Sequence, residues 1–395
     1  MAAISNVTLK QGRAKPLWFG HPWVYSEAIA SSLAGTGVEP GAEVRVLDHD
    51  GRCIGRGFAN PRSQIAVRLA AWRDAPLDDV FLATRLGEAR ELRARQGLPS
   101  AATTAYRLVN SEGDDLPGLI VDIFGDAAVV MFTTFAMKQR EGVVYDALEK
   151  LLAPRTIYEA AAGGVAEIEG FKAQPRVVRG DSRPTVPCLE NGVALEIEPL
   201  AGQKTGYFLD QRQNRALVGR LAADARVLDL YSYAGGFGLA AAKGGAKSVV
   251  AVDVSARALD RARANFALNG FGAVDLVEAD AFRYLEKAPA GGFDVVVCDP
   301  PKFARARKDL EAALRGYRHL NALALAACAE DGILATASCS QLVDEASFER
   351  MLAGAAKDAH RRLQILEIAS QGPDHPVPVG FPEGRYLKFF VCRVR

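Results

Sequence analysis

The chain has 395 residues, 49% of them apolar and 24% charged, a composition that excludes a disordered or fibrous protein. At about 100 to 200 residues per domain, this length predicts two or three folded domains. The 48 lysines and arginines are balanced by 47 aspartates and glutamates, which excludes long-range attraction of a polyanion by the chain as a whole. Any contact with nucleic acid must therefore be a local patch.

The apolar runs and the cysteines narrow the class of protein further. No stretch of 18 apolar residues occurs, and no signal-like apolar stretch follows the basic residues near the start, so we expect a cytoplasmic protein without a membrane partner. The cysteines are far apart and form no C-x-x-C pair, which argues against a zinc site and a disulfide framework, so we expect no metal. They are Cys53, Cys188, Cys298, Cys328, Cys339 and Cys392.

The first 72 residues are predicted to form a small β unit. Apolar residues alternate between residues 42 and 72, and Asp50-Gly51 separates two such runs as in a hairpin turn. The segment carries eight basic and five acidic residues. This local positive excess favours contact with an anionic partner.

Residues 73–188 are predicted to form a second module. Apolar residues recur near helical spacing over 77–96, and strands are predicted over 119–124 and 128–132 around Gly125-Asp126. We therefore expect helix and strand to alternate here. Asn191-Gly192 predicts another hairpin at the entrance to the last region, 189–395.

From residue 226 onward, predicted strands alternate strictly with helices, which indicates an α/β fold with a mostly parallel, doubly wound sheet. The predicted strands are 226–231, 248–252, 274–278, 293–298, 332–337 and 363–369. The predicted helices are one from 237, 256–268, a short one after the third strand, 309–328 and 343–358. The final run, 386–394, has no helix before it and is expected to insert antiparallel.

Acidic residues follow the first three predicted strands, at the sheet edge where doubly wound folds bind ligands. Asp229 precedes a turn whose glycines let a ligand approach the backbone. Asp253 lies about 20 positions beyond those glycines, where a carboxylate can hold the hydroxyls of a ribose. Asp280 either accepts from an adenine amino group or caps the next helix.

The fourth and fifth predicted strands end in less common sequences. In Asp299-Pro-Pro-Lys-Phe303, the prolines cannot donate ladder hydrogen bonds and so form a rigid rim. Cys339, between two serines after the fifth strand, stands at the same rim, and we predict that it is a nucleophile. Cys298 is predicted to pack in the core, because neighbouring side chains in a strand point to opposite faces and Asp299 takes the pocket side. The remaining cysteines are assigned to structure, with Cys328 expected inside a helix.

These motifs resemble those of class I S-adenosylmethionine methyltransferases, specifically the bacterial and archaeal large-subunit ribosomal RNA cytosine-5 methyltransferases that carry a PUA domain. The resemblance covers essentially the whole chain and includes Gly20-His-Pro-Trp-Val-Tyr25, Gly55-Arg-Gly-Phe-Ala-Asn-Pro61 and the run from Tyr106 to Gly118. It implies a PUA-like RNA-binding barrel over 1–72, a central α+β module over 73–188 and a Rossmann-like methyltransferase domain over 189–395.

The resemblance also implies a cofactor, a substrate and their ligands. The cofactor is S-adenosylmethionine, and the residues expected to bind it are Phe208, Asp210, Arg212, Asp229, Ser232, Gly235, Asp253 and Asp280. The substrate is a cytosine in 23S ribosomal RNA, free or partly assembled, with Cys339 as covalent nucleophile and Asp299 hydrogen-bonding the base. Lys302, Arg305 and Arg307 are expected to contact RNA. A homodimer is left open.

Two features leave other functions open. Many RNA cytosine-5 methyltransferases have a second cysteine where this chain has Lys302, so product release here must proceed without that thiol. A related domain with Asp-Pro-Pro-Thr-Phe methylates a guanine ring nitrogen, and Cys339 is what separates the two. Uracil-5 methylation, purine-nitrogen methylation and a non-catalytic RNA-binding factor are the alternatives.

Overall fold

The computed structural model describes residues 4–33, 35, 37–304 and 306–395. Within these residues the chain divides into two compact units, each built from several stretches of sequence. The first unit contains Met1–Cys188, Ile197–Leu209 and Pro373–Gly384, and the second contains Leu189–Glu196, Asp210–Gly372 and Arg385–Arg395. The finer division at residues 72 and 188 stays a prediction.

The first unit begins with a sheet whose order is β1-β3-β4-β5-β2. Its elements are β1 (Ser5–Thr8), α1 (Lys15–Trp18), β2 (Trp23–Tyr25), β3 (Glu43–Leu47), β4 (Cys53–Ala59) and β5 (Ile65–Ala71). β3 and β4 pair antiparallel on either side of Asp50-Gly51, which confirms the predicted hairpin. Val44, Val46 and Val67 are fully buried, as the alternation predicts for a sheet with one face on a core.

A second sheet of the first unit has the order β10-β9-β8-β7-β6. Its elements and the neighbouring helices are α2 (Asp79–Arg95), β6 (Ala105–Asn110), β7 (Leu119–Phe124), β8 (Ala127–Phe132), α3 (Phe135–Gln139), α4 (Glu141–Leu152), β9 (Thr156–Glu159), α5 (Gly164–Glu169) and β10 (Arg176–Gly180). The strands predicted over 119–124 and 128–132 are confirmed as β7 and β8, which pair antiparallel. The predicted alternation of helix and strand is wrong at β6, which was not assigned from the sequence and which pairs antiparallel with β7. A tight turn joins β7 and β8, with Gly125 in the left-handed region at φ 57°, whereas the longer segment 111–118 connects β6 and β7.

The hairpin predicted at Asn191-Gly192 is present as β11 (Val186–Glu190) and β12 (Val193–Ile197). The helix α6 (Arg212–Arg220) then leads into the main sheet of the second unit. The strands of that sheet are β13 (Arg226–Leu230), β14 (Ser248–Asp253), β15 (Val274–Glu278), β16 (Phe293–Cys298), β17 (Cys328–Ser338), β18 (Leu363–Ala369) and β19 (Lys388–Val394). Its helices are α7 (Gly236–Lys243), α8 (Ala256–Leu268), α9 (Ala281–Leu285), α10 (Leu310–Ala327) and α11 (Glu345–Asp358).

The main sheet has the order β15-β14-β13-β16-β17-β19-β18. Strands β13 to β17 are all parallel to one another. The last strand, β19, pairs antiparallel with both β17 and β18. The predicted α/β fold and the antiparallel final strand are therefore confirmed. Val227, Leu228 and Val296 are fully buried because helices cover both faces of a parallel sheet.

The boundary between α10 and β17 differs from the prediction. Cys328, expected inside a helix, takes an extended backbone conformation as the residue that ends α10, and it is the first residue of β17. It pairs with Phe293, and the register then changes so that Ile333 pairs with Val295. The strand therefore starts earlier than residue 332, and an irregularity interrupts its pairing near the start.

No helix in the described part of the chain is long and apolar enough to cross a lipid bilayer.

Candidate active site at the carboxyl ends of the central strands

The register of three central strands aligns the residues that follow them. Leu230 at the end of β13 pairs with Val252 in β14 and with Cys298 in β16. The next residues along these strands, Tyr231, Asp253 and Asp299, therefore come to the same edge of the sheet. Neighbouring strands are about 4.8 Å apart, so the side chains that follow these strands are close enough to contact one ligand.

The turn after β13 is held in an unusual backbone conformation. Tyr231 and Tyr233 have φ angles of 59° and 49°, in the left-handed region that tyrosine rarely adopts. The Asp253 carboxylate accepts a hydrogen bond from the Tyr233 N–H at 2.9 Å, and the Ser232 N–H donates to the Val252 carbonyl at 3.1 Å. Strained backbone persists only where its surroundings fix it, and such turns concentrate at functional sites.

Gly235 completes this turn and allows the close approach of α8. Its φ is 83°, and a Cβ atom placed there would lie 2.9 Å from Cε2 of Phe266 and 3.2 Å from Cβ of Ala262. A side chain at Gly235 would therefore be strained by the backbone and crowded by its neighbours. The predicted contact of Gly235 with the cofactor stays a prediction.

Asp229 is the buried carboxyl group beneath the turn. Its Oδ2 accepts a hydrogen bond from the Gly238 N–H at 2.8 Å, at the start of α7. Burial, the largest cause, raises the pKa of Asp229 to about 7; the Gly238 hydrogen bond opposes this shift, and the nearby Asp299 and Asp253 act in the same direction as burial. The carboxyl groups of these strand ends therefore repel one another, and a cation placed among them would relieve that repulsion.

Two buried polar atoms near this turn point to a ligand. Asp229 Oδ1 and Ser232 Oγ have no hydrogen-bond partner among the residues that the structure describes. Buried polar atoms are almost always hydrogen-bonded, so unsatisfied ones at a strand end need an explanation. S-adenosylmethionine fits, because it carries a cationic sulfonium, an ammonium group and several hydrogen-bond donors.

Asp253 and Asp280 have local structural roles at the starts of helices. The Asp280 side chain accepts from the Arg283 N–H at 3.1 Å, which confirms that it caps α9. Asp253 accepts from the Ser255 N–H at 2.9 Å, and Ser255 itself caps α8. Contacts of Asp253 with ribose and of Asp280 with adenine stay predictions.

Asp299 is oriented by a relay of buried amides. The Gln211 side chain donates to Asp299 Oδ2 at 2.9 Å, and Asn214 donates to Gln211 Oε1 at 2.6 Å. Gln211 and Asn214 are 3% and 1% exposed. Because both amides are fixed within the protein, the Asp299 carboxyl group is held in one orientation at the sheet edge.

The loop after Asp299 and the turn that contains Cys339 are joined by one tyrosine. The Tyr317 ring centroid lies 4.5 Å from that of Phe303, in the Asp299 loop. The Tyr317 hydroxyl forms a buried hydrogen bond of 3.0 Å with Ser340 Oγ, next to Cys339. Side chains of one helix, α10, therefore fix the loops at the ends of β16 and β17.

Cys339 differs from the other cysteines in its exposure and position. It is half-buried, directly after β17, whereas Ser338 and Ser340 on either side are fully buried. Cys298 is fully buried in the hydrophobic core, where burial raises the pKa of its thiol, so its predicted packing role is confirmed. Burial likewise raises the pKa of Cys328 and of Cys392 to about 12. Thiolate chemistry is thus disfavoured at these buried positions.

The remaining predicted ligands are distributed over both units. Asp210 and Arg212 are buried in the second unit, where Asp210 Oδ2 accepts from the Tyr386 hydroxyl at 2.7 Å. Phe208 belongs to the first unit, with the Lys204 ammonium 4.5 Å from its ring centroid. Lys302 and Arg307 are exposed. Arg305 lies outside the described residues.

Sequence reasoning did not assign the residues that support Asp299 and Cys339. They are Gln211, Asn214, Tyr317 and Lys388. Lys388 had a recognisable signal, because a lysine directly before an apolar run in a buried strand is uncommon. Gln211, Asn214 and Tyr317 had none, since their partners are defined only by the tertiary fold.

Outside the strand-end site, one cluster of two aspartates and a histidine brings possible metal ligands together. Ligand atoms of Asp48, His49 and Asp50 lie within 4.8 Å of one another in the described part of the chain. His49 and Asp50 are exposed, and Asp48 Oδ1 accepts from the N–H groups of Asp50 and Arg52 at 2.9 Å. These hydrogen bonds explain the cluster as turn chemistry between β3 and β4.

Comparisons with known proteins identify the family to which the chain belongs. A family model described as S-adenosylmethionine-dependent methyltransferase matches residues 122–361, more than half of the chain. The chain belongs to the S-adenosylmethionine-dependent methyltransferases. A second model, described as a PUA-like domain, matches residues 7–72 of the methyltransferase. Its cofactor is therefore S-adenosylmethionine.

Curated relatives extend over the whole methyltransferase. It is 40% identical over 400 residues to the ribosomal RNA large subunit methyltransferase I of Aeromonas salmonicida, covering 98% of this chain and 99% of that protein. It is 38% identical to the protein of the same name from Photobacterium profundum, covering 99% of this chain and 100% of that protein. The chain belongs to the same family as these relatives.

Solved structures match the fold of the methyltransferase. SMU.776, described as a methyltransferase and crystallised with SAH, has a TM-score of 0.85 and 22% identity, covering 99% of this chain and 100% of that chain. A protein from Streptococcus mutans, described as SAM-dependent, has a TM-score of 0.84. At this identity the likeness concerns the fold, a class I methyltransferase domain with an N-terminal PUA-like domain.

Proposed function

We propose that this enzyme methylates carbon 5 of a cytosine in 23S ribosomal RNA through a covalent bond to Cys339. The observation that carries the proposal is a thiol that is only partly buried after β17, beside the strand end that carries Asp299. A nitrogen methyltransferase needs no thiol at this position, whereas carbon-5 chemistry on a pyrimidine does. The names of the curated relatives support large-subunit ribosomal RNA as the substrate.

The thiol is required because carbon 5 of cytosine is a weak nucleophile. The Cys339 thiolate forms a bond to carbon 6, and the electron pair of the ring double bond becomes available at carbon 5. Bound S-adenosylmethionine supplies an electrophilic methyl group, which carbon 5 takes. A base then removes the carbon-5 proton, the sulfur–carbon 6 bond breaks, its electron pair returns to sulfur, and the double bond is restored.

In this proposal, Asp299 contacts the edge of the target cytosine that carries ring nitrogen 3. Its carboxyl group, held by Gln211, donates a proton to ring nitrogen 3 as the thiolate adds, which neutralises the negative charge that develops there, and takes the proton back when the thiolate leaves. Because Gln211 is itself held by Asn214, the carboxyl group needs no rearrangement as the reaction proceeds. Asp299 is expected to favour cytosine over uracil, whose base edge has a different donor pattern.

The cofactor side of the reaction uses the turn after β13. Asp229 and Ser232 offer buried, unsatisfied oxygen atoms to the cofactor, and Asp253 orders the same turn through the Tyr233 N–H.

The exposed Lys302 and Arg307 follow the strand end of Asp299 and are suited to phosphates that flank the target nucleotide. The target base must leave its stack to meet Cys339, which favours an unpaired or flipped nucleotide.

An RNA that carries 5-fluorocytosine at the target position tests the proposal. Fluorine does not leave carbon 5 as a proton does, so the wild-type enzyme is expected to remain attached to this RNA after methyl transfer, in a complex that survives denaturing electrophoresis. Cys339→Ala is expected to bind cofactor, form no such complex and lose methylation by several orders of magnitude.

Controls come from the other cysteines. Cys298→Ala, in the core, is expected to lose about 1 kcal/mol of stability but to retain the complex, and Cys53→Ala in the first unit is expected to resemble wild type. Methylation by Cys339→Ala, or a complex that maps to another cysteine, contradicts the proposal. A complex formed only with 5-fluorouracil RNA would instead identify uracil-5 methylation.

A further inference from the structure

Lys388 places a buried ammonium group beside the turn that carries Cys339. It is the first residue of β19 and pairs with Ser338, one residue before Cys339. Its side chain donates to the Ser340 carbonyl at 2.6 Å and to the Tyr386 carbonyl at 2.7 Å. Lys388 is 6% exposed, and the next residue, Phe389, is fully buried. Burying an ammonium group is costly, so a structural anchor alone would be made more cheaply by a neutral donor.

The charges that face Lys388 come from three elements of the second unit. Burial, the largest cause, lowers the pKa of Lys388 to about 8, with the exposed Lys302 acting in the same direction. Cys339 and Asp344 act in the opposite direction and favour the ammonium form, with Cys339 the stronger of the two. At neutral pH most Lys388 side chains are therefore in the charged ammonium form. Charge interactions are reciprocal, so the ammonium favours the thiolate of Cys339 as much as the thiolate favours the ammonium.

We propose that Lys388 is a positioning residue that keeps Cys339 in its reactive thiolate form and fixes the turn that carries it. The ammonium group has three N–H donors, of which one binds the Ser340 carbonyl in the turn and another binds the Tyr386 carbonyl, two residues before Lys388. The bond to Ser340 fixes the turn, the bond to Tyr386 orients the ammonium group, and the charge stabilises the sulfur anion. This inference rests on the proposed role of Cys339 as the nucleophile.

A charge effect and a purely structural effect predict different pH dependences. If the ammonium stabilises the thiolate, then removing the charge raises the pH at which Cys339 becomes reactive, and the defect shrinks at high pH, where the thiol ionises unaided. A reactivity midpoint that is higher by one in pH corresponds to a roughly tenfold loss of thiolate at neutral pH. A structural defect lowers reactivity by the same factor at every pH.

The experiment measures alkylation of Cys339 by iodoacetamide in the full-length enzyme from pH 6 to 10, with mass spectrometry of the Cys339 peptide. We expect Lys388→Met and Lys388→Gln to raise the pH midpoint by at least one and Lys388→Arg to keep it near wild type. Lys388→Gln retains donors for the two carbonyls, so it carries the test if the Met variant does not fold. The exposed Lys243, which donates to the Asn191 carbonyl, supplies the control Lys243→Met, whose midpoint should not move.

Methylation measured on the same variants separates this inference from the proposed function. We expect the neutral Lys388 variants to lose at least tenfold at pH 7, and this loss to shrink by pH 9.5. An unchanged alkylation midpoint in Lys388→Gln, or a loss of equal size at every pH, overturns the role of Lys388 and leaves Cys339 as nucleophile intact. Methylation by Cys339→Ala overturns the proposed function itself, whatever the Lys388 variants do.

Discussion

At the scale of single residues, the Asp229 carboxyl group links the stability of the enzyme to pH. Burial raises its pKa from 3.8 to about 7, so the folded protein holds a proton between these values that the unfolded chain releases. The stability that this proton contributes is fully present below about pH 4 and is lost as the pH rises to about 7. The difference between the two pKa values corresponds to at most about 4 kcal/mol.

Asp229→Asn should remove this dependence. The amide oxygen still accepts from the Gly238 N–H, but the side chain no longer ionises, so the variant avoids the cost of a buried charge above neutral pH. We expect the melting temperature of the variant to rise relative to wild type as the pH increases from 5 to 8, measured by scanning fluorimetry without cofactor. Parallel curves for the two proteins would contradict the burial argument.

At the scale of secondary structure elements, the site depends on contacts between neighbouring loops. Tyr317 on α10 packs on Phe303 after β16 and bonds Ser340 after β17. A change at this hydroxyl therefore alters the turn of Cys339 without touching the thiol. Misplacing a reacting group by about 1 Å can cost up to about a hundredfold in rate.

Tyr317→Phe should lower stability by about 1 kcal/mol and kcat for methyl transfer by roughly tenfold. The matched control is Tyr145→Phe in the first unit, which removes a hydroxyl that is also buried and donates to Glu159 at 2.9 Å. It should cost similar stability but leave kcat unchanged. Denaturant unfolding measures the free energy of unfolding, and methyl incorporation at saturating substrates measures kcat. Equal kcat values for the two variants would exclude a role for Tyr317 in positioning the Cys339 turn.

The strand and helix order of the second unit was predictable from the sequence, because apolar periodicity and the residues at strand ends are visible within short stretches of chain. Asp229, Asp253 and Asp299 were found at strand ends for that reason. The supporting contacts were not predictable, because they join residues far apart in sequence: Gln211 and Asp299 are 88 positions apart, and Ser340 and Lys388 are 48 apart. In the first unit, β7 and β8 were predicted from their apolar runs on either side of Gly125-Asp126, whereas β6 was not assigned.

At the scale of the whole molecule, the first 72 residues are part of a larger compact unit. Phe58, Ala70 and Ala71 belong to the same hydrophobic cluster as Leu82 and residues of the second sheet. The Asn60 side chain also donates to Glu169 Oε2 at 2.8 Å. Deleting this segment would expose that cluster, so its contribution to RNA binding is better tested by substitutions on its surface.

Trp18 and Phe19 are suited to such a test. They are 54% and 69% exposed beside the basic residue Lys15, whose ammonium lies 6.0 Å from the Phe19 ring centroid. Exposed aromatic rings next to basic residues stack on unpaired bases, with about 1 to 3 kcal/mol per stacked base. A net charge of +1 provides no general attraction for RNA, so we expect the local stacking surface to matter.

The double variant Trp18→Ala, Phe19→Ala should bind a single-stranded ribosomal RNA fragment at least tenfold more weakly, since one lost stacking contact of about 1.4 kcal/mol already gives that factor. Affinity for S-adenosylmethionine should not change, because the strand-end residues that are predicted to bind the cofactor lie in the second unit. Fluorescence anisotropy and calorimetry measure the two affinities. Val80→Ala, at a position that is 72% exposed on α2 of the same unit, controls for loss of apolar surface and should leave both unchanged. Equal RNA affinity of the double variant and wild type would show that this surface does not contribute to substrate binding.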